Sequence, residues 1–145
     1  MAQRFAQLAS FSDVAGRSSR TKGAAGEREL FGLLSDQLGF VVKRELSASR
    51  DGGCDGLDVP GWAIEVKRTE QALAAHWWQA VEQAERAGRK PVLFWRRNRA
   101  EWRAFVAPHD VAADLFQAGG DPLSMSLPRW CELARSQMAR ADTGR

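Results

Sequence analysis

Apolar positions first recur with helical spacing in the stretch 25–38. Leu30, Phe31, Leu34 and Leu38 share one stripe of a helix predicted over Ala25–Leu38, and Gly39 stops it. Short apolar runs follow: FVVKREL (40–46), CDGLDV (54–59) and WAIEVKR (62–68) read as strands, with SASRDGG (47–53) as a loop and Pro60-Gly61 as a turn. A second helix spans 72–87, with Leu73, Trp77, Ala80, Val81 and Ala84 inward and Gly88 after it. Strands PVLFWRR (91–97) and WRAFVA (102–107) flank the turn NRAE. In the tail, HDVAADLFQ (109–117) reads as a short helix, GGDPLSMS (119–126) as a loop, and LPRWCELARSQMAR (127–140) as an amphipathic helix with a proline near its start. This order predicts an α/β fold, a central mixed β-sheet of about five strands flanked by helices with a helical C-terminal tail. Residues 1–22 read as a flexible basic N-terminal arm with a short helix around RFAQLASF (4–11); 23–107 form the core, and 108–145 extend the same domain.

The third strand is unusual. Residues i and i+2 share a face, so Trp62, Ile64 and Val66 form one apolar face while Ala63, Glu65 and Lys67 form the other. An unpaired carboxylate on a buried strand is costly unless a metal, a partner charge or a catalytic task compensates. An ion pair on a half-exposed edge strand would also accommodate Glu65 and Lys67. In the first helix, Glu27 sits at the centre of the apolar stripe and faces the sheet, whereas Glu29 is rotated to the far side; an acid there also suits a helix N-terminus. Asp55 and Asp58 lie on opposite faces of their strand. A two-residue loop, Pro60-Gly61, would put Asp58 on the charged face, and a three-residue loop, Val59 to Gly61, would set Asp55 opposite Glu65. Directly opposed acids repel unless a cation lies between them, and a hard divalent ion with oxygen ligands would meet that need.

Charge is mildly positive, 21 Lys and Arg against 18 Asp and Glu, but it is clustered. Residues 86–103 hold Arg86, Arg89, Lys90, Arg96, Arg97, Arg99 and Arg103 against Glu101 alone, which is the electrostatic footprint expected for phosphate. Cys54 and Cys131 are far apart and outside any CxxC or His/Cys cluster, which disfavours a disulfide framework or structural zinc. No apolar run approaches the ~18 residues of a membrane span and no secretory signal is visible, so a soluble chain of the cytoplasm is expected. Trp77 reads as core and Trp78, on the helix flank, as a base-stacking or interface residue; Gln79 points away from the stripe, and His76 and His109 have no partners in sequence.

In order, KGAAGEREL, GFVVKR, CDGLDVPGWAIEVKR, a helix and RKPVLFWRRNRAEWRAFV resemble the PD-(D/E)xK nuclease superfamily, and within it the archaeal-type Holliday junction resolvases and their phage-encoded relatives, over residues 22–107. The resemblance implies a restriction-endonuclease-like core and a Mg²⁺-dependent endonuclease, with Mn²⁺ able to substitute, acting on branched DNA as a homodimer in a bacterial or phage-infected cell. It implies Asp55 and Glu65 as metal ligands, Glu27 as the helix acid completing the shell, Lys67 as the catalytic lysine, and Arg44, Arg68, Arg96, Arg97 and Arg99 as residues that bind the DNA backbone. Cys54 stands where the motif's name has proline. Related nucleases of other DNA specificity, or a DNA-binding module without chemistry, share the same fold.

Overall fold

The computed structural model describes residues 14–45, 53–72 and 74–144, with side chains from residue 23 onward. The expected helix at 4–11, nearly all of the 47–53 loop, and Leu73 lie outside the described residues. The elements are helix α1 (Val14–Leu38), strand β1 (Trp62–Arg68), helix α2 (Ala74–Ala87), strands β2 (Lys90–Arg96) and β3 (Arg103–Val106), the short helix α3 (Pro108–Val111), strand β4 (Leu123–Ser126) and helix α4 (Leu127–Thr143). Helix α1 therefore begins at Val14 rather than Ala25, and residues 14–22, read as arm, are its first turns.

The sheet is mixed, in the order β1-β2-β3-β4, with β1 and β2 parallel and the other two pairs antiparallel. Its four strands differ from the expected set in a physically legible way. At 41–45 no regular strand forms among the described residues, because side chains capture the backbone donors that a ladder would use. Ser35 Oγ accepts from Val42 N (2.9 Å) and Asp58 Oδ2 from Lys43 N (2.6 Å). The 54–59 segment meets β1 at a single bridge, Gly56 with Ile64. Conversely, Leu123–Ser126, read as loop, pairs with β3 as an edge strand.

One face of the sheet packs Trp62, Ile64, Val66, Val92, Phe94, Ala104 and Val106 against the α1 stripe and against Leu127, Trp130, Cys131 and Ala134 of α4. Trp130 meets Trp62 and Phe94 edge-on, at 5.4 and 5.0 Å between ring centroids, so the C-terminal helix is part of the core. Ser126 caps it by accepting from Arg129 N, with proline in its first turn as expected. Helix α2 covers the opposite face: Trp77 and Ala80 pack on Leu93, and Ala84 on Ala63 and Cys54. Among the described residues no helix is long and apolar enough to cross a membrane.

Candidate active site

The turn that precedes β1 fixes the site. Gly56 pairs with Ile64, and Ile64 N donates to Gly56 O at 2.9 Å, which makes the loop three residues long, Val59 to Gly61. Asp55 N and Gly56 N both donate to Ile64 O, a bulge from which the Asp55 carboxylate reaches Val66 N and acts on Glu65. Gly61 sits at φ +82°, a conformation that a side chain would strain. Gly56 is required for a different reason, since a Cβ there would lie 2.7 and 2.9 Å from two ring carbons of Phe31. Arg89 locks the same turn by donating to the Leu57, Val59 and Trp62 carbonyls at 2.5, 3.5 and 3.3 Å. The opposite-face alternative, Asp58, is exposed and held by the Lys43 amide.

Glu65 is buried at 4% exposure, on the α2 side of the sheet. Its Oε1 lies 3.4 Å from Lys67 Nζ, and its Oε2 is buried without a hydrogen-bond partner among the described residues. Burial, then the charge of Asp55, pushes its carboxyl up to about 8, against the lowering influence of Lys67. Burial also raises Asp55, which the Val66 amide (2.8 Å to Oδ2), Lys67 and Arg44 offset in part. Glu27 is raised by burial and by Asp55 and lowered by Arg44 and Lys67. The structure thus brings Glu27, Asp55, Glu65, Lys67 and Arg44 into one electrostatic cluster, with Arg44 Nε ion-paired to Glu27 Oε2. No three acids, histidines or cysteines among the described residues stand close enough to form a metal cage as they are.

The donor set nevertheless fits a hard cation. Two carboxylates, one with an unpartnered buried oxygen, are the usual protein share of a Mg²⁺ site, with water and phosphate completing the coordination. The Cys54 thiol donates to Gly56 O, and its ionisation is raised, chiefly by burial.

The arginines divide. Arg96 is turned to the α1 side, pairs with Glu29 at 2.7 Å and stacks on Trp102, so Glu29 is engaged at the sheet rather than rotated clear of it. Arg68 packs on Gly26 and reaches Asn98 at 3.4 Å. Arg89 serves the turn, Lys90 donates to Gln137 and sits over Trp62, and Arg103 donates to Ser124. Much of the basic run is therefore architectural, and Arg97 and Arg99 remain exposed in the β2–β3 turn. Two α2 residues gave no site signal in the sequence. His76 is half-buried, its ionisation lowered by burial and then by the charge of Lys67; Gln83 is buried with an unpartnered Oε1. Gln83 adjoins Ala84 of the inward stripe, which points to burial and to no site role. Gln79 is exposed, as its helical angle implied.

A mixed sheet covered by helices, with an acid on the first helix, an acid after the loop and a Glu-x-Lys on the following strand, defines a PD-(D/E)xK nuclease. Residues 18–125 match the family described as "Phage putative PDDEXK endonuclease", and the chain belongs to that family. Nucleases of this kind generally use divalent metal ions, and their substrate is DNA. Among solved structures the chain is similar to Hjc, a Holliday junction resolvase of the archaeal hyperthermophile Archaeoglobus fulgidus, at 23% identity and a TM-score of 0.45 over 73% of this chain and 84% of that one. No curated protein matches the chain.

Proposed function

We propose that this nuclease is a Mg²⁺-dependent endonuclease for branched DNA of the four-way-junction type, with Mn²⁺ able to replace Mg²⁺, and that it acts as a homodimer whose two sites make paired nicks. The observation that carries the chemistry is the half-buried Asp55 next to the buried Glu65 and Lys67, with Glu65 Oε2 unpartnered. The preference for junctions rests on the ordered sequence resemblance over residues 22–107. Asp55 and Glu65 would hold the ion, with Glu27 contributing directly or through water. Bound there, the ion would offset charge on the phosphate and lower the pKa of a water. Lys67 presents an ammonium with three donors to orient that water, and its charge pulls the Glu65 carboxyl down against the burial that raises it. Arg44 holds the Glu27 carboxylate in place, and Arg97 and Arg99 bind DNA phosphates.

The family description names a phage endonuclease and no DNA structure, so a second reading is an endonuclease acting on duplex, flap or single-stranded DNA. Incubating the protein with a four-way junction, a flap, a duplex and a single strand, with and without Mg²⁺, separates the two. Metal-dependent paired nicking confined to the junction supports the first reading. Equal cutting of linear duplex removes the junction preference, and binding without cutting under any divalent ion removes the nuclease chemistry.

A further inference from the structure

Helix α2 covers the sheet face that carries Ala63, Glu65 and Lys67, and two contacts fix how it lies there. Ala84 packs on Ala63 of β1, and Ala80 packs on Leu93, the β2 neighbour of Glu65. Because α2 returns the chain from the end of β1 to the start of the parallel strand β2, it runs against the strand direction. His76 shares the stripe of Ala80 and Ala84 and stands about 12 Å before Ala84 along the helix. Lys67 stands about 13 Å beyond Ala63 along β1. The two spans match, which sets the His76 ring beside Lys67. Burial, then the charge of Lys67, lowers the ionisation of the ring; the second influence agrees with that placement, and together they leave the imidazole neutral at about pH 7 with one N–H to donate. The ring is half-buried, and its Nδ1 is covered and without a partner among the described residues, so Nε2 is the nitrogen left to meet a substrate.

We infer that His76 is a further substrate-binding residue of this nuclease, its Nε2–H donating to a non-bridging oxygen of a phosphate on the DNA strand that lies against Lys67. The inference deepens the proposed DNA cleavage and rests on that reading for its substrate. Its support is the placement of the ring beside Lys67 on the carboxylate face, with only its Nε2 edge open. A phosphate offers acceptors alone, so it selects the tautomer that carries the proton on Nε2. The two side chains then divide the work. Lys67 brings a point charge on a flexible stem, and the half-buried imidazole adds a donor of fixed direction, so the phosphate is held in orientation as well as in position.

The test is a double-mutant cycle between His76 and single DNA phosphates. It reads the affinity of the full chain, in EDTA, for a four-way junction in which methylphosphonates replace, one at a time, the successive phosphates of one strand through the branch point. On the unmodified junction His76→Ala should bind about tenfold more weakly than the wild type, the scale of one hydrogen bond to a charged group. His76→Phe, which keeps a ring to pack and lacks the N–H, should lose as much, and His76→Gln, which carries an N–H at similar reach, should recover most of the loss. At one methylphosphonate position the wild type and His76→Phe should bind equally, because the contacted oxygen is gone. A His76→Phe variant that binds the unmodified junction like the wild type overturns the contact. So does a loss of the same size at every methylphosphonate position, which would show a residue that only supports the fold, and so does a wild type that binds no junction. Because affinity is read without metal, failure here leaves the nuclease chemistry standing, and failure to cleave any DNA leaves the cycle measurable.

Discussion

Replacing Glu65 by Gln should make the metal-free protein more stable at alkaline pH while removing its cleavage activity. The unfolded chain ionises this carboxyl near its ordinary value of 4.5, and the folded chain only near 8. Between those values the folded state holds a proton that the unfolded state has released. Glu65 therefore stabilises most below about pH 4.5, and that stability is lost as pH rises through about 8. Each pH unit inside the window is worth up to ~1.4 kcal/mol, so wild-type stability should fall by on the order of 2–3 kcal/mol between pH 6 and pH 9 through this group. The side chain is 5% exposed, so little of this is screened by solvent. Asp55 and Glu27 are also raised by burial and add slope of the same sign, which is why the variant is read as a difference from wild type. Urea unfolding followed by tryptophan fluorescence in EDTA, at intervals from pH 6 to 9, gives both curves. Mg²⁺ at pH 9 should recover the wild type and leave Glu65→Gln unmoved, because only the native wild type binds it. Parallel pH curves for the two proteins would refute a buried, proton-holding Glu65.

The other predictions follow from the same geometry. Gly56→Ala drives a methyl against the Phe31 ring and should cost about 1–3 kcal/mol in urea unfolding, with reduced cleavage because Asp55 is the adjoining residue. Asp58→Ala removes the acceptor of the Lys43 amide and should cost about 1 kcal/mol with cleavage intact; a dead Asp58→Ala enzyme that is fully folded would contradict its structural role. Replacing Arg97 and Arg99 together by Ala should lower the slope of log affinity against log salt for duplex arms by about 0.9 for each phosphate that the protein no longer neutralises, and an unchanged slope would take the β2–β3 turn out of the DNA surface.

How far the sequence reached depended on whether a signal was local. The α1 stripe, the two faces of β1 and a helix at 127–140 follow from periodicity alone, and each is observed, the last running on to Thr143. Choosing between Asp55 and Asp58 required a register, which one residue of loop length reverses; only the Gly56–Ile64 bridge decides it. Among the described residues 41–45 of the strand expected at 40–46 no regular strand forms, because Ser35 and Asp58 take the Val42 and Lys43 amide protons. β4 gave no warning because Leu-Ser-Met-Ser on an exposed edge carries no strong strand pattern after Gly-Gly-Asp-Pro. The arginine cluster looked like one phosphate-binding surface because composition does not show direction. Strand alternation sends Arg96 towards Glu29, and the turn at 57–62 claims Arg89. His76 comes within the field of Lys67 through tertiary packing that a lone histidine does not advertise, and Gln83 is buried although a lone glutamine reads as surface.

The account turns on Asp55 as the carboxylate set against Glu65, and the rate of four-way-junction cleavage by Asp55→Asn in Mg²⁺ tests it most directly. Loss of a metal-holding carboxylate should lower the rate by at least about a hundredfold, beyond what removing a residue that merely orients a ligand costs, while junction binding in EDTA persists. A folded Asp55→Asn protein that cuts at the wild-type rate would contradict the assignment at its centre.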